Sequence, residues 1–534
     1  MCETLRMNGR GTKTLEHLLR RFDEEIHFGA VMLEVLEKDG FELTHARPVA
    51  PRSWLLRAKP PQQLQEGFGL APELLFVVVQ GEVQSRDLQR AADEVVRSGL
   101  RLDGNLVIVT DDGHTYDDGR PLKERLERMP GRDQRVAWVW NEDRFWPPLS
   151  EVLRRSLPTY DIFEERDPVR GHQLMGRDAE VKDLRTRVLR GDAVGVFGLR
   201  KSGKTSLVRA VTDWFDPASG IKTPDAEQDV SQACVLWVDA QGLDLPTIDD
   251  VADDMLAALG RRMRAAGASY GPPAREGIAG LKAAAQAILD EGLRLCFVID
   301  EYDLLFEREG NLGPVPGISR LLGLVRALSQ QQQGAVSLVL IGRDPEHLSA
   351  PQLDGVPNPL LAGLTPMWLG PLRPPHDAEM LRKLGRRVGL AVGHETAALA
   401  RAWTGGHPLL HRQFGSALRE EVRLHAPGAL QKEPTDPHCE RAVERFLGRQ
   451  AVLEVDREII ALLSKRYPAA YMLLLDLIES RDPQAVVKRS GGSLGPGARM
   501  LRNFGLLDEA TLALPNHLSW YVKTLLPTQT QVAV

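Results

Sequence analysis

The sequence predicts an α/β fold, a doubly wound parallel sheet organised around a glycine-rich turn. A helical lid and a C-terminal winged helix follow it, and a small α/β domain precedes it. Three observations carry this reading. An apolar strand pattern, Val194–Gly198, runs into a glycine-rich turn and then a helical pattern at Ser206–Thr212. A second apolar run, Leu295–Ile299, ends in the adjacent carboxylates Asp300 and Glu301. From Gly176 to about Leu369 strand and helix patterns alternate, the order of a sheet whose ligand chemistry sits at its strand ends.

At 534 residues the chain is too long for one compact core, and roughly three or four domains are expected. Hydrophobic residues at 43% and charged residues at 26% exclude a disordered or membrane composition. The net charge of −6 argues against attraction to nucleic acid or anionic lipid over the whole surface, leaving only regional basic patches. Cys2, Cys234, Cys296 and Cys439 lack paired spacing, which fits a reducing cytosol. No apolar run approaches the roughly 20 residues of a membrane span, and the polar start has no signal-peptide core, so a cytoplasmic protein is expected.

Residues 1–157 open with one helical pattern, Thr14–Lys38, whose apolar positions Leu15, Leu18, Leu19, Phe22, Ile26 and Val31 recur at helical spacing. Strand patterns at Leu74–Gln80, Asn105–Thr110 and Arg135–Trp140, with helical patterns at Ser85–Ser98 and Pro121–Met129 between them, predict a small parallel α/β unit. Pro158, Pro168 and Gly171 break periodicity through a linker at 158–173. The sheet domain then spans 174–369, a helical lid 370–451 and a winged helix 452–534. Lid helices are expected near His376–Val388, His394–Trp403 and Leu409–Leu424. The winged helix rests on a helix near Ala498–Phe504 followed by wing strands Leu506–Asp508 and Thr511–Leu514.

The turn after the first core strand is Gly198-Leu199-Arg200-Lys201-Ser202-Gly203-Lys204-Thr205-Ser206, a complete G-x-x-x-x-G-K-T pattern in strand-turn-helix context. Its glycines let backbone N–H groups curl around phosphate oxygens, and the helix adds its positive N-terminal end. Lys204 reaches the β- and γ-phosphates, and the Thr205 hydroxyl joins the shell of a bridging Mg²⁺. Asp300 completes that shell from its strand end, and Glu301 is placed to polarise the attacking water. The strand Cys234–Asp239 lies between the two motifs, so the Asp300 strand is not sequence-adjacent to the strand of the turn. That favours an ATPase with an additional strand and a catalytic glutamate over nucleotide kinases and GTPases. Ser337–Arg343 is a further buried strand ending in a cation, where Arg343 either senses the γ-phosphate or pairs with Asp344.

Met175-Gly-Arg-Asp-Ala-Glu180, the Gly198–Ser206 loop, Ile299-Asp-Glu-Tyr-Asp303, Gly342-Arg343 and Thr404-Gly-Gly-His-Pro408 together resemble the STAND-type signalling ATPases of the AAA-like P-loop class, over about Leu174 to Pro527. The resemblance implies ATP and Mg²⁺ as cofactors, Arg177 near the adenine, Pro408 packed on the nucleotide, and a winged helix that clamps the ADP-bound, inactive state. Some relatives place the histidine of a Met-His-Asp triplet against the β-phosphate. This chain has Pro515-Asn-His517-Leu instead, which favours a structural or exposed histidine.

The function these readings imply is an ATP-dependent switch in which binding and slow hydrolysis drive domain rearrangement, self-association or effector signalling. Its runner-up is an AAA-like DNA-transaction ATPase, with Lys488, Arg489, Arg499 and Arg502 on and before the presumed recognition helix contacting duplex DNA. Residues 1–157 are assigned a protein-partner or effector role by position. Their strand Leu74–Gln80 with Gly81-Glu82 is faintly nuclease-like, but Glu82-Val83-Gln84 lacks the lysine that chemistry needs. Asp111, Asp112, Asp117 and Asp118 could bind a cation and are read as a solvated acidic loop.

Overall fold

The computed structural model describes residues 11–68, 70, 72–81, 83–84, 86–87, 106–111, 135–140, 146–156, 161–164, 169, 174–215, 233–243, 247–265, 276–307, 314–332, 334–361, 363–425, 432–492 and 494–526. The expected helix Pro121–Met129, Asp112, Asp117, Asp118, Glu82, and most of both Ser85–Ser98 and the 158–173 linker lie outside them. By proximity of Cα atoms the chain forms two compact units. One comprises Met1–Arg166, Ala378–Leu399 and Arg412–Phe446; the other comprises Asp167–Asp377, Ala400–His411 and Leu447–Val534.

In the first unit the apolar pattern read as one helix forms two, Gly11–Glu25 and Gly29–Lys38. The buried residues are Phe22, Ile26, Phe28, Met32 and Leu36, so the two-residue step from Ile26 to Phe28 breaks the period of four. Val31, counted in the helical stripe, is exposed. Five strands follow: β1 (Glu42–Ala50), β2 (Ser53–Lys59), β3 (Leu74–Val79), β4 (Leu106–Thr110) and β5 (Arg135–Val139), side by side in that order. The three expected strands are parallel, but β1 and β2 add an antiparallel meander, so the sheet is mixed. Pro48 and two register shifts in β1 blur its alternation, as suits an edge strand. Trp54, Leu56, Phe76, Val78, Val107, Val109 and Trp138 form one apolar face with the two N-terminal helices. Asp111 is not a solvated loop carboxylate: it accepts the Gly81 N–H at 2.5 Å and lies 3.2 Å from His27 Nε2.

The second unit is built on β6 (Ala193–Phe197), β7 (Ala233–Asp239), β8 (Arg294–Asp300) and β9 (Val336–Gly342). A two-residue ribbon of β10 (Gln352–Leu353) and β11 (Val356–Pro357) precedes β12 (Leu364–Trp368). The sheet order is β12-β6-β9-β8-β7, all parallel. Alternating side chains fill two cores, as a doubly wound sheet requires. Phe197, Leu236, Phe297, Ile299, Leu338 and Leu340 meet helices Ile248–Ala265, Gly277–Asp290 and Ile318–Gln331 on one face. On the other, Val194, Val196, Val235, Cys296, Val298 and Ile341 meet helices Asp178–Arg190 and Lys204–Phe215. In the sheet β9 separates the Asp300 strand from the strand of the turn, and β7 takes an edge.

The helices His376–Arg387, His394–Thr404 and Pro408–His425 form at the expected lid positions, and Asp436–Leu447 follows. Beyond them run Gln450–Arg466, Pro468–Glu479, Pro483–Arg489, Pro496–Asn503 and Asn516–Thr524. The expected wing strands form no regular ladder, although the Asp508 N–H donates to the Ala513 carbonyl at 3.1 Å and joins the two runs. Residues 504–515 make a tight turn instead, in which the Asp508 carboxylate accepts the Ala510 and Thr511 N–H groups at 3.0 and 2.8 Å. That side-chain cap adds to the Leu512 N–H bond to the Asp508 carbonyl, 3.0 Å, in holding the loop tight.

Candidate functional site

The site lies at the C-terminal ends of β6, β9 and β8. Gly198 leaves β6 with φ 150°, and a Cβ there would meet the Leu369 carbonyl oxygen at 2.6 Å, so only glycine fits. Lys201 and Gly203, at φ 61° and 95°, complete the curl, and helix Lys204–Phe215 begins at once. Its first-turn N–H groups therefore face the turn. Lys204 is buried, and its Nζ donates to the Gly198 and Leu199 carbonyls at 3.0 and 2.8 Å. Burial lowers its pKa, against the charges of Glu301, Asp303 and Asp300. Ser202 Oγ is buried without a hydrogen-bond partner among the described residues, and Ser206 Oγ accepts the Val169 N–H at 3.0 Å.

Thr205 Oγ1 donates to Asp300 Oδ1 at 3.3 Å, so two hard oxygen donors stand side by side from different elements. That pair suits Mg²⁺, which takes one or two protein oxygens and keeps waters and phosphates for the rest. Asp300 is 4% exposed, and burial pushes its pKa up to about 6, with Asp239 and Glu301 adding repulsion and the Thr205 hydroxyl opposing. Glu301 follows in the left-handed region, φ 51°, a strained placement for a non-glycine residue.

Arg343 leaves β9 beside them. Its N–H donates to the buried Asp303 carboxylate at 2.8 Å, and its guanidinium holds Glu307 Oε2 at 2.5 Å. It does not take Asp344, which Arg466 holds at 3.2 Å. Burial pushes the Asp303 carboxyl up to about 6, against the nearby Arg343 charge.

Lys204, Glu301, Asp303, Glu307 and Arg343 line a cavity of about 470 Å³. Its opposite wall is helix Gln450–Arg466, through Val455, Glu458, Ile459, Leu462, Lys465 and Arg466. Arg200 reaches that helix at Glu458, 2.6 Å away, and this hydrogen bond raises its pKa. Arg466 and Glu458 were not singled out from the sequence; nothing local marks them, because helix Gln450–Arg466 lies far along the chain.

A smaller cleft of about 10 Å³ opens on the other side of Leu199 and Ser202, lined also by Gly370, Gly405, His407, Leu506, Pro515 and His517. His407 Nε2 lies 3.1 Å from the Arg200 carbonyl, and burial holds its pKa down at about 3. His517 is buried, not exposed, and its Nδ1 lies 2.5 Å from Asp456 Oδ1. Arg177 and Pro408 line neither space. Arg177 is buried and donates to the carbonyls of Gly370 and Ser202 at 2.6 and 3.4 Å, bracing the turn, while burial lowers its pKa. Pro408 opens a helix, and its neighbour His407 takes the lining position.

Residues 190–348 match the family model described as an AAA domain. No curated protein matches the chain. Among solved structures, a Walker-type ATPase of Pyrococcus abyssi is similar at 15% identity, over 67% of this chain and 99% of that one, with a TM-score of 0.45. The ORC2 protein of Aeropyrum pernix, in ADPNP–ADP complexes, matches at 15% identity over 70% and 98%, TM-score 0.44. The ORC1 protein of the same organism, in complex with DNA, matches at 18% identity over 70% and 87%, TM-score 0.35. The AAA-domain match over residues 190–348 and the parallel sheet β12-β6-β9-β8-β7 give the fold of a P-loop NTPase, with a helical C-terminal region, and no described helix is long and apolar enough to cross a membrane.

Proposed function

We propose that this chain is an ATP-dependent switch of the STAND type, in which nucleotide in the Gly198–Ser206 turn controls the seating of residues 447–526. One observation carries it: the turn, through Leu199, Arg200 and Lys204, and the carboxylate Glu301 share their cavity with helix Gln450–Arg466, so the phosphates and the C-terminal helices act on the same walls. When bound, Mg²⁺ supplies positive charge to the β- and γ-phosphate oxygens. Thr205 and Asp300 hold it, and Lys204 exchanges its two carbonyl partners for phosphate oxygens. Glu301 orients the attacking water and accepts its proton. ATP moves the equilibrium only so far as it binds one arrangement more tightly than the other.

Solution mass with ADP, with a slowly hydrolysed ATP analogue and with duplex DNA tests this reading. A switch changes mass or shape between the two nucleotides, Lys204→Ala abolishes both responses, and Glu301→Gln retains binding while turnover falls about 100-fold or more. Identical behaviour with both nucleotides refutes it.

A second reading, duplex DNA binding under ATP control, is favoured by the exposure of Lys488, Arg489 and Arg499 at helices Pro483–Arg489 and Pro496–Asn503. It requires salt-sensitive DNA affinity that falls when Arg499 and Arg502 are changed to alanine.

A further inference from the structure

Glu307 lies beyond the two catalytic carboxylates and belongs to neither motif, yet in the cavity wall it meets Arg343, His347 and Arg466. Its Oε2 holds the Arg343 guanidinium at 2.5 Å. Its Oε1 lies 2.7 Å from His347 Nε2 and also meets Arg466 Nη2. Arg466 is anchored independently of Glu307 by Asp344 Oδ2 at 3.2 Å. The His347 ring stacks on Phe306 with centroids 5.2 Å apart.

We infer that Glu307 sets the discrimination between nucleoside triphosphate and diphosphate by competing with the γ-phosphate for Arg343. The inference rests on the reading of this cavity as the phosphate site. Arg343 lines the same cavity as Lys204, and its guanidinium is held by Glu307 rather than turned free toward the turn. A γ-phosphate is a stronger bidentate partner for a guanidinium than a half-exposed carboxylate, so it draws Arg343 away. That exchange leaves Glu307 still paired with Arg466 and His347, so no charge is stranded. A diphosphate reaches no further than the β-position and leaves the Arg343–Glu307 pair intact. Triphosphate therefore binds against the cost of breaking the Arg343–Glu307 pair and loosening the 3.8 Å Arg343–Asp303 contact, and diphosphate does not.

The test is the affinity of ADP and of a non-hydrolysable triphosphate analogue for the parent protein, Glu307→Gln, Arg343→Ala and the double variant, by calorimetry with Mg²⁺ present. Glu307→Gln is expected to bind the triphosphate analogue about two- to fivefold more tightly, the effect of relieving one half-exposed ion pair. ADP affinity stays within twofold. In the Arg343→Ala background the Glu307 change has no effect on either nucleotide. If Glu307→Gln weakens the analogue or leaves it unchanged, Glu307 positions Arg343 rather than competing for it, and the inference falls. If the parent binds neither nucleotide, or if Lys204→Ala binds both as the parent does, the phosphate-site reading itself fails and takes the inference with it.

Discussion

Replacing Asp300 by asparagine should stabilise the metal-free, nucleotide-free protein at neutral pH while removing its use for MgATP. The carboxyl is 4% exposed and titrates at about 6 against an ordinary value of 3.8, chiefly because burial penalises its charged form. A difference of roughly two on the pH scale, at about 1.4 kcal/mol each, corresponds to about 3 kcal/mol of lost stability once the group is ionised. Between pH 3.8 and about 6 the folded chain keeps a proton that the unfolded chain releases. Stability contributed at this position therefore falls as pH rises through that window and is lowest above it. Asparagine keeps an oxygen for the Thr205 hydroxyl and the Glu301 N–H but carries no charge to desolvate. Urea unfolding without divalent cations should give Asp300→Asn about 1–3 kcal/mol more stability than the parent at pH 7.5 and near equality at pH 4. Asp303, also held near 6, keeps part of the pH slope in the variant. Equal or lower stability of Asp300→Asn at pH 7.5 would falsify the claim that this carboxylate is held at a cost the metal relieves.

Other outcomes follow from the same geometry. Gly198→Ala, with its Cβ driven onto the Leu369 carbonyl, should lose nucleotide affinity at least about tenfold and destabilise the fold by about 1–3 kcal/mol, read by titration calorimetry and thermal melting. His517→Ala leaves the fully buried Asp456 carboxylate without its partner, and chemical denaturation should show a loss of about 3–5 kcal/mol. Changing Asp456 to alanine as well should restore part of that loss, and strict additivity of the two changes would show that the pair is not coupled. Arg177→Lys keeps the charge but cannot reach both carbonyls, so nucleotide affinity should drop several-fold with little change in turnover at saturation.

The core was legible because its signals are local. The glycine spacing of 198–205 and the apolar run into Asp300–Glu301 each fit within a dozen residues, and the backbone geometry they require is of the same length. What stayed hidden depends on distant partners. β9 lies between β6 and β8 for reasons of chain crossover that no window of sequence carries, and β7 was the nearer candidate in sequence order. The meander β1–β2 escaped because Pro48 and two register shifts spoil its period of two, and the helix break near residue 27 escaped because flanking apolar residues keep a helical rhythm across it. The wing runs shrink to a single cross-bond for a different reason: a two-strand ribbon and an Asp-capped turn share the same short apolar runs. Arg466, Glu458, His407 and His517 gain meaning only when the C-terminal helices fold over the turn.

Because β6, β9 and β8 are neighbours in one parallel sheet, the turn, Arg343 and Asp300 are delivered by three adjacent strands joined by two ladders. Adjacent strands keep a spacing of about 4.8 Å, so two steps, roughly 10 Å, separate the backbones that supply the lysine and the carboxylates. Main-chain pairing acts as a ruler here: point substitutions can swap the groups mounted on its marks but cannot move the marks. Selection for new timing or new partners is thereby steered toward the loops and the C-terminal helices.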